Sequence, residues 1–246
     1  MINLFLIGIG TGNPKHLTVE GRLAIAEADL FLIPHKGNDK SDLADLRTQI
    51  IADIRSDANI VSFDMPVRDA AGPYIDCVNA WHKAISNIWS EAIANHPNAI
   101  RIALLVWGDP SLYDSSIRIA ALLNPVPKLT VIPGITSIQA LTAAHGISLN
   151  TLNAPVTIST GRQLRDHGWP LNTETLVVML DGTCAFQELD GADYDIWWGA
   201  YLGMKEQVLE AGNLSETTPR IIERRGVSKS SHGWIMDIYL LRKRSI

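Results

Sequence analysis

The chain has 246 residues, 46% hydrophobic and 19% charged, with a net charge of −5; this is a globular composition, long enough for one large domain or two ordinary ones. The most basic run is the short RKR near the C-terminus, so there is no electrostatic footprint for nucleic acid. Two distant cysteines, Cys77 and Cys184, argue against a zinc knuckle, a redox pair or a disulfide scaffold, and no apolar run approaches the roughly 20 residues that cross a bilayer.

In chain order, Asn3 to Ile9 reads as a buried strand that empties into Gly8-Ile9-Gly10-Thr11-Gly12-Asn13-Pro14. A dinucleotide fingerprint would need a third glycine where Asn13 stands, and Pro14 interrupts the helix that should begin there. Thr18 reads as the cap of a first helix over Gly21 to Ala28, and Leu30 to Ile33 is a strand ending in Pro34-His35-Lys36. The apolar spacing of Leu43, Leu46, Ile50, Ile51 and Ile54 predicts a helix from Ser41 to Ile54. Asn59 to Phe63 is a short strand, Met65 to Pro73 a polar loop, and Tyr74 to Asn95 a long helix that turns Trp81 and Trp89 to the core.

Ile100 to Trp107 is almost wholly apolar after Arg101 and stops at Gly108-Asp109-Pro110. Such a run fits a central parallel strand covered on both faces, and ligands of open α/β sheets bind beyond the carboxyl ends of the strands. Gly108 leaves its backbone approachable, while Pro110 biases Asp109 to an extended conformation that carries its carboxylate into the crevice. Asp109 reads equally well as a helix cap. Ser115 to Leu123 is a helix, Lys128 to Ile132 a strand, and Pro133-Gly134-Ile135-Thr136-Ser137 another glycine turn before a helix to His145.

The texture changes after this point, and a boundary is expected near Leu112 to Asp114. Val156 to Thr160, Thr175 to Leu180, Asp195 to Leu202 and Trp234 to Leu241 read as strands separated by few convincing helices, with Gly226 to Gly233 as a polar loop between two of them. The expected fold is α/β in two domains, residues 1–112 with a mostly parallel sheet and 113–246 with a mixed sheet. No HExxH, G-x-S-x-G or P-loop motif occurs. The start lacks the basic residues and cleavage site of a signal peptide, which predicts a cytoplasmic protein.

Three stretches together, GIGTGNPKHLT at 8–18, VWGDPSLYDS at 106–115 and IPGITSIQA at 132–140, resemble the tetrapyrrole methylases, two-domain enzymes of the corrin and sirohaem pathways. The resemblance covers essentially the whole chain. It implies S-adenosyl-L-methionine as cofactor and an active site in the cleft between the domains; no metal is expected, because no metal-binding motif occurs and the seven histidines are scattered. It assigns Gly10, Thr11, Gly108, Asp109, Thr136, Ser137, Leu180 and Ala200 to the cofactor. Thr11 stands where proline is common in the family. Many relatives carry Met-Gly where this chain has Met179-Leu180-Asp181, so the register at Leu180 is open by one residue. Thr136 and Ser137 also read as a helix N-cap.

LNAPVTISTGRQL at 152–164, WWGAYLGMKEQVLEAGNL at 197–214 and the ending GWIMDIYLLRK further resemble members that couple methylation of a ring carbon to loss of an acetyl group. A family member acting on another ring carbon without deacetylation is the alternative. The deacetylation needs a base to activate water, for which Asp109, His35 and Tyr113 are the candidates. A tetrapyrrole substrate carries many carboxylates, so Arg68, Arg118, Arg162, Arg165 and Lys36 are candidates at its rim. A valine at 108 is expected to block the cofactor without disturbing the fold. Partners are expected to be the small-molecule substrate and, from the resemblance and the seven tryptophans, a second copy in a homodimer; neither nucleic acid nor membrane is expected.

Overall fold

The computed structural model describes residues 2–35, 41–69 and 71–244, and the chain divides into two compact units, Met1–Ile135 and Thr136–Ile246. The first contains β1 (Asn3–Gly8), α1 (Val19–Glu27), β2 (Leu30–His35), α2 (Ser41–Ala52), β3 (Ile60–Asp64), α3 (Tyr74–Ala94), β4 (Arg101–Val106), α4 (Ser116–Ala120) and β5 (Lys128–Ile132). Its five strands are all parallel, in the order β3-β2-β4-β1-β5, with β4 at the centre.

Alternate residues of each central strand serve two cores. Leu4, Leu6, Ile102 and Leu104 pack with Ile85 and Trp89 of α3 and Ile119 of α4. Ile7, Phe31, Ala103 and Leu105 pack with Ile25 of α1 and Ile50 and Ile51 of α2. Helices on both faces explain why these strands are apolar on successive residues after Asn3 and Arg101. From β1 the chain crosses over β4 to reach β2, and from β4 it crosses over β1 to reach β5. These crossovers leave in opposite directions, so β1 and β4 flank the topological switch point, where such sheets open a crevice. Thr18 caps α1, its Oγ1 accepting the Gly21 N–H at 3.0 Å.

The second unit contains α5 (Ser137–His145), β6 (Val156–Thr160), α6 (Gly161–His167), β7 (Thr175–Met179), β8 (Tyr194–Ala200), β9 (Val208–Asn213), α7 (Leu214–His232) and β10 (Asp237–Lys243). Its sheet runs β6-β7-β10-β8-β9. β6 and β7 are parallel, while β10 is antiparallel to both β7 and β8, and β8 to β9. The mixed sheet agrees with the expectation. Leu176, Val177, Val178, Ile196, Trp198, Leu240 and Leu241 form its fully buried middle.

Three expectations are corrected. The boundary expected at 112 falls inside the first unit, because β5 pairs with β1 from Asn3↔Lys128 to Ile7↔Ile132 and so belongs to the first sheet. The expected loop from Gly226 to Gly233 is the last part of α7, which ends on Gly233 at φ +72°. Pro219 inside that helix and a face burying only Leu214, Thr217, Ile221 and Ser228 hide its periodicity in the sequence. The short strand β9 was not expected. Finally, Trp89, Trp198 and Trp234 are buried and none of the seven tryptophans is among the exposed large hydrophobic residues, which weakens the tryptophan argument for a second copy.

Candidate functional site

At the carboxyl edge of the first sheet, the loops after β1, β4 and β5 are knitted together through glycine. Gly108 N–H donates to the Gly10 carbonyl at 2.8 Å, and Gly10 N–H to the Gly108 carbonyl at 3.3 Å. Both residues are left-handed, at φ +75° for Gly10 and +68° for Gly108, a region side chains disfavour. Gly134 sits so close that a Cβ there would lie 2.1 Å from the Gly108 carbonyl oxygen and 2.8 Å from Gly8 Cα. A Cβ on Gly8 would in turn lie 2.6 Å from Gly134 N. The close approach occurs where β1 and β4 flank the switch point.

Asp109 locks this arrangement. One carboxylate oxygen accepts Gly134 N–H at 2.9 Å, and the other accepts Ser111 N–H at 2.8 Å and the Ser111 hydroxyl at 2.5 Å. Burial raises its pKa, but the bonds from the Ser111 hydroxyl and the Gly134 and Ser111 amides outweigh it and hold the carboxyl below the ordinary range. Asp109 therefore neither caps a helix nor projects freely into a crevice; Ser115 holds the N-cap position of α4. A carboxylate so satisfied is a weak base. Tyr113 is 44% exposed at φ +50°, and burial of its hydroxyl raises its pKa, so its phenol stays protonated. His35 ends β2, opposite Asp64 of β3. β2 pairs with β4 only through Leu30 and Phe31, so His35 lies on a strand already parting from the switch point.

Thr11 is 4% exposed, and its hydroxyl has no partner in the chain. The Nδ1 of His16, at the end of the turn Pro14–His16, is likewise buried and unpartnered. Leaving such a group unpaired costs about 1–3 kcal/mol, and two of them fall on the one loop after β1. His16 occurs inside the GNPKHLT stretch, yet nothing in its sequence setting distinguishes it from a surface histidine. Arg47 was also missed. Its Nε donates to the Leu105 carbonyl at 2.9 Å and Nη1 to the Leu43 carbonyl at 3.0 Å, filling the gap where β2 leaves β4. Burial lowers its pKa to about 10, against a smaller raising effect of Asp114, which leaves it protonated at neutral pH.

In the second unit, Thr136 caps α5, its Oγ1 accepting Ile138 N–H at 3.1 Å and meeting Gln139 Oε1, and Ser137 is the first helical residue. Leu180, directly after β7, is 67% exposed with φ +53°. Ala200, the last residue of β8, is wholly buried between Asp237 and Val208. Since β7 and β8 run the same way, Leu180 and Ala200 lie at one sheet edge. That edge holds a buried polar cluster absent from the sequence reading. Asp181 accepts from Thr183 N–H and hydroxyl at 2.9 and 3.0 Å, Ala185 N–H at 2.6 Å and the Tyr239 hydroxyl at 2.7 Å. Burial raises its pKa, but those four bonds win and depress it. Arg225 donates to the Asp181 carbonyl at 3.0 Å and to Asp237 at 2.8 Å, and Asp237 also accepts Trp198 Nε1–H at 3.0 Å. Burial pushes the Cys184 thiol up to about 11, so it is inert.

Of the rim candidates, Arg165 pairs with Asp166, Arg118 donates to the Asp114 carbonyl, and Arg68 lies over the Tyr74 ring. Arg162 also has a partner, and Lys36 lies outside the described residues. Among the described residues no group of three or more His, Cys, Asp or Glu side chains is placed to hold a metal, and no helix is long and apolar enough to cross a membrane.

A doubly wound sheet with glycine-knitted strand ends, joined in sequence to a mixed sheet, defines an α/β protein. The profile of the Tetrapyrrole (Corrin/Porphyrin) Methylases matches residues 3–218, and the chain belongs to that family. Precorrin-6A synthase (deacetylating) of Sinorhizobium sp is 43% identical over 251 residues, covering 99% of this chain and 96% of that protein. The crystal structure of the cobalamin synthesis related protein CobF from Corynebacterium diphtheriae superposes with a TM-score of 0.86 at 35% identity, over 100% of both chains. Uroporphyrin-III C-methyl transferase from Thermus thermophilus, in complex with S-adenosylhomocysteine, shares the fold at a TM-score of 0.60 and 17% identity, over 98% of this chain and 97% of its own.

Two substitutions test the local geometry. Gly134→Ala should destabilise the protein by about 3 kcal/mol in urea unfolding, because its Cβ overlaps backbone that has no free end to move. The φ of Gly108 extends this to Gly108→Val, which should lose stability as well as ligand, contrary to the expectation of an undisturbed fold. Asp181→Asn should cost about 2 kcal/mol at pH 7. The folded pKa of Asp181 is below its ordinary 3.8, so its ionic contribution is present above that value and fades as pH falls through the folded pKa. The gap between wild type and variant in chemical denaturation should therefore shrink below about pH 4.

Proposed function

We propose that this chain transfers a methyl group to ring carbon C1 of precorrin-5 and removes the acetyl group there as acetate, giving precorrin-6A in aerobic cobalamin biosynthesis. The observation that carries this reading is the 43% identity, over 99% of the chain, to the deacetylating enzyme of Sinorhizobium sp. The weakly acidic chain, with a net charge of −5, supports a small-molecule substrate over nucleic acid. S-adenosyl-L-methionine is the cofactor this reading requires, and when bound it supplies an electrophilic methyl group.

The residues present fit that cofactor. The unpartnered Thr11 hydroxyl offers a hydrogen bond that no protein group takes. Gly10 and Gly108 present backbone without side chains, and Asp109 holds the loop that carries Gly108 to the loop after β5 rather than touching the reacting atoms. The resemblance adds Thr136, Ser137, Leu180 and the backbone of Ala200. Arg47, charged and with Nη2 uncommitted to the helix or strand, joins the arginines offered to the substrate carboxylates. The chain's task is to orient two reactants and exclude water from the methyl group. Free thiols at Cys77 and Cys184 suit the cytoplasmic setting of this proposal, and the homodimer is part of it on the resemblance alone.

Incubated with precorrin-5 and S-adenosyl-L-methionine, the protein should release one S-adenosylhomocysteine and one acetate per turnover, because C1 has no valence for a methyl while it holds the acetyl group. Adenosylhomocysteine without acetate would replace this reading with methylation at another ring carbon. Thr11→Val should weaken S-adenosylmethionine binding about tenfold in calorimetry while leaving the melting temperature equal or higher, since it removes a hydroxyl the free protein leaves unpaired.

A further inference from the structure

The deacetylation needs a base, and the two candidates on the loop after β4 are unsuited to it: Asp109 accepts three hydrogen bonds and Tyr113 has a hydroxyl disfavoured from ionising by burial. His35 is displaced. Two strand spacings, about 10 Å, separate β2 from β1 in the sheet order, and β2 leaves β4 after Phe31.

His16 meets the requirements. It sits on the loop after β1, its Cβ only 2.5 Å from the point a side chain on Gly10 would occupy, so its ring is packed against the glycine that pairs with Gly108. Its backbone is fixed by the turn, in which His16 N–H donates to the Asn13 carbonyl at 2.8 Å, Leu17 N–H to the Pro14 carbonyl at 3.3 Å, and Asn13 Oδ1 accepts Lys15 N–H at 3.0 Å. Nδ1 is enclosed without a partner, the residue as a whole is half-buried, and Nε2 makes no hydrogen bond within the described residues. Burial lowers its pKa from 6.5, so the ring is neutral at pH 7 and its lone pair is available.

We propose that His16 is the general base that takes a proton from the water attacking the acetyl carbonyl. This deepens the deacetylating reading and rests on it. The water oxygen bonds to the acetyl carbon as its proton passes to Nε2 of His16. The bond between the acetyl carbon and C1 then breaks, acetic acid leaves, and the electron pair remains on C1 as the nucleophile that methyl transfer requires. His16 returns its proton to solvent, and the acid ionises to acetate.

The test is His16→Gln, with His16→Asn as a second variant should the first fail to fold, assayed on precorrin-5 for acetate and adenosylhomocysteine together and by calorimetry for S-adenosylmethionine. A general base contributes on the order of 10²- to 10⁴-fold, so acetate release should fall at least a hundredfold while cofactor affinity stays within threefold of wild type. Acetate release at the wild-type rate in a folded variant would overturn the proposal. So would loss of cofactor binding in parallel, which would make His16 a cofactor ligand. If wild type itself yields adenosylhomocysteine without acetate, the deacetylating reading has failed; if wild type yields both and the variant does too, only the role of His16 has failed.

Discussion

The close approach of Gly8, Gly108 and Gly134 is the constraint on which the first unit depends. Three successive strand-end loops must meet with backbone against backbone, and the 2.1 Å separation that a Cβ on Gly134 would have from the Gly108 carbonyl leaves no room for alanine at the centre. The approach is possible because β4 and β5 both pair directly with β1, so their ends emerge side by side. Asp109 then converts proximity into rigidity: a single carboxylate spans the loops after β4 and β5 through Ser111 and Gly134. A loop held this way presents its remaining backbone groups without the entropy cost of ordering them when a ligand arrives.

The second unit reaches a similar end by polar means. Its strand-end loop after β7 is tied by a carboxylate, Asp181, which is buried to 8% exposure and receives four donors. The carboxylate fits only because Gly161 has no side chain; a Cβ there would lie 2.3 Å from the Asp181 carboxyl carbon. Arg225 links this cluster to Asp237 opposite Ala200, so the ends of β7 and β8 are coupled through one buried ion-pair network. Replacing one member strands the others, which is why such clusters are stiff. In both units glycine permits a close approach, backbone to backbone in the first and backbone to aspartate in the second, and an aspartate fixes the loop.

How much of this could be read in the sequence follows from how local each feature is. The strands β1, β4, β5 and β6 and the Thr18 cap were legible because apolar runs and capping patterns are properties of a few adjacent residues. The long helix α7 was not, since Pro219, Gly226 and a polar composition erase the periodic signal, and its place is set by packing on β8 and β9. The domain boundary depends on β5 joining β1 across more than 120 residues, which no local pattern records. Gly108 and Asp109 stood out as a motif, yet the partner of Asp109, the Gly134 amide, is a tertiary fact. Thr11, His16, Arg47 and Asp181 acquire their meaning only from burial and from the presence or lack of partners.

One further pattern links strain to these edges. Among the left-handed residues that are neither glycine nor asparagine are Tyr113, Leu180, Cys184 and Tyr201, and they follow β4, β7, β7 and β8 at the carboxyl ends of those strands. Each such conformation costs about 1–2 kcal/mol, so it persists only where surrounding contacts overdetermine it. Tyr201 shows how: its hydroxyl donates to the Trp234 carbonyl at 2.5 Å, and its ring meets the His232 and Trp234 rings edge-on. Leu180 is different, since it is 67% exposed and the adjacent Asp181 supplies all the anchoring. A large apolar side chain turned outward on a left-handed backbone gains no burial within the chain, so the conformation is held from the backbone side. The geometry of this strand end is therefore set from beneath, by the buried aspartate and its four donors, rather than by packing of the Leu180 side chain itself.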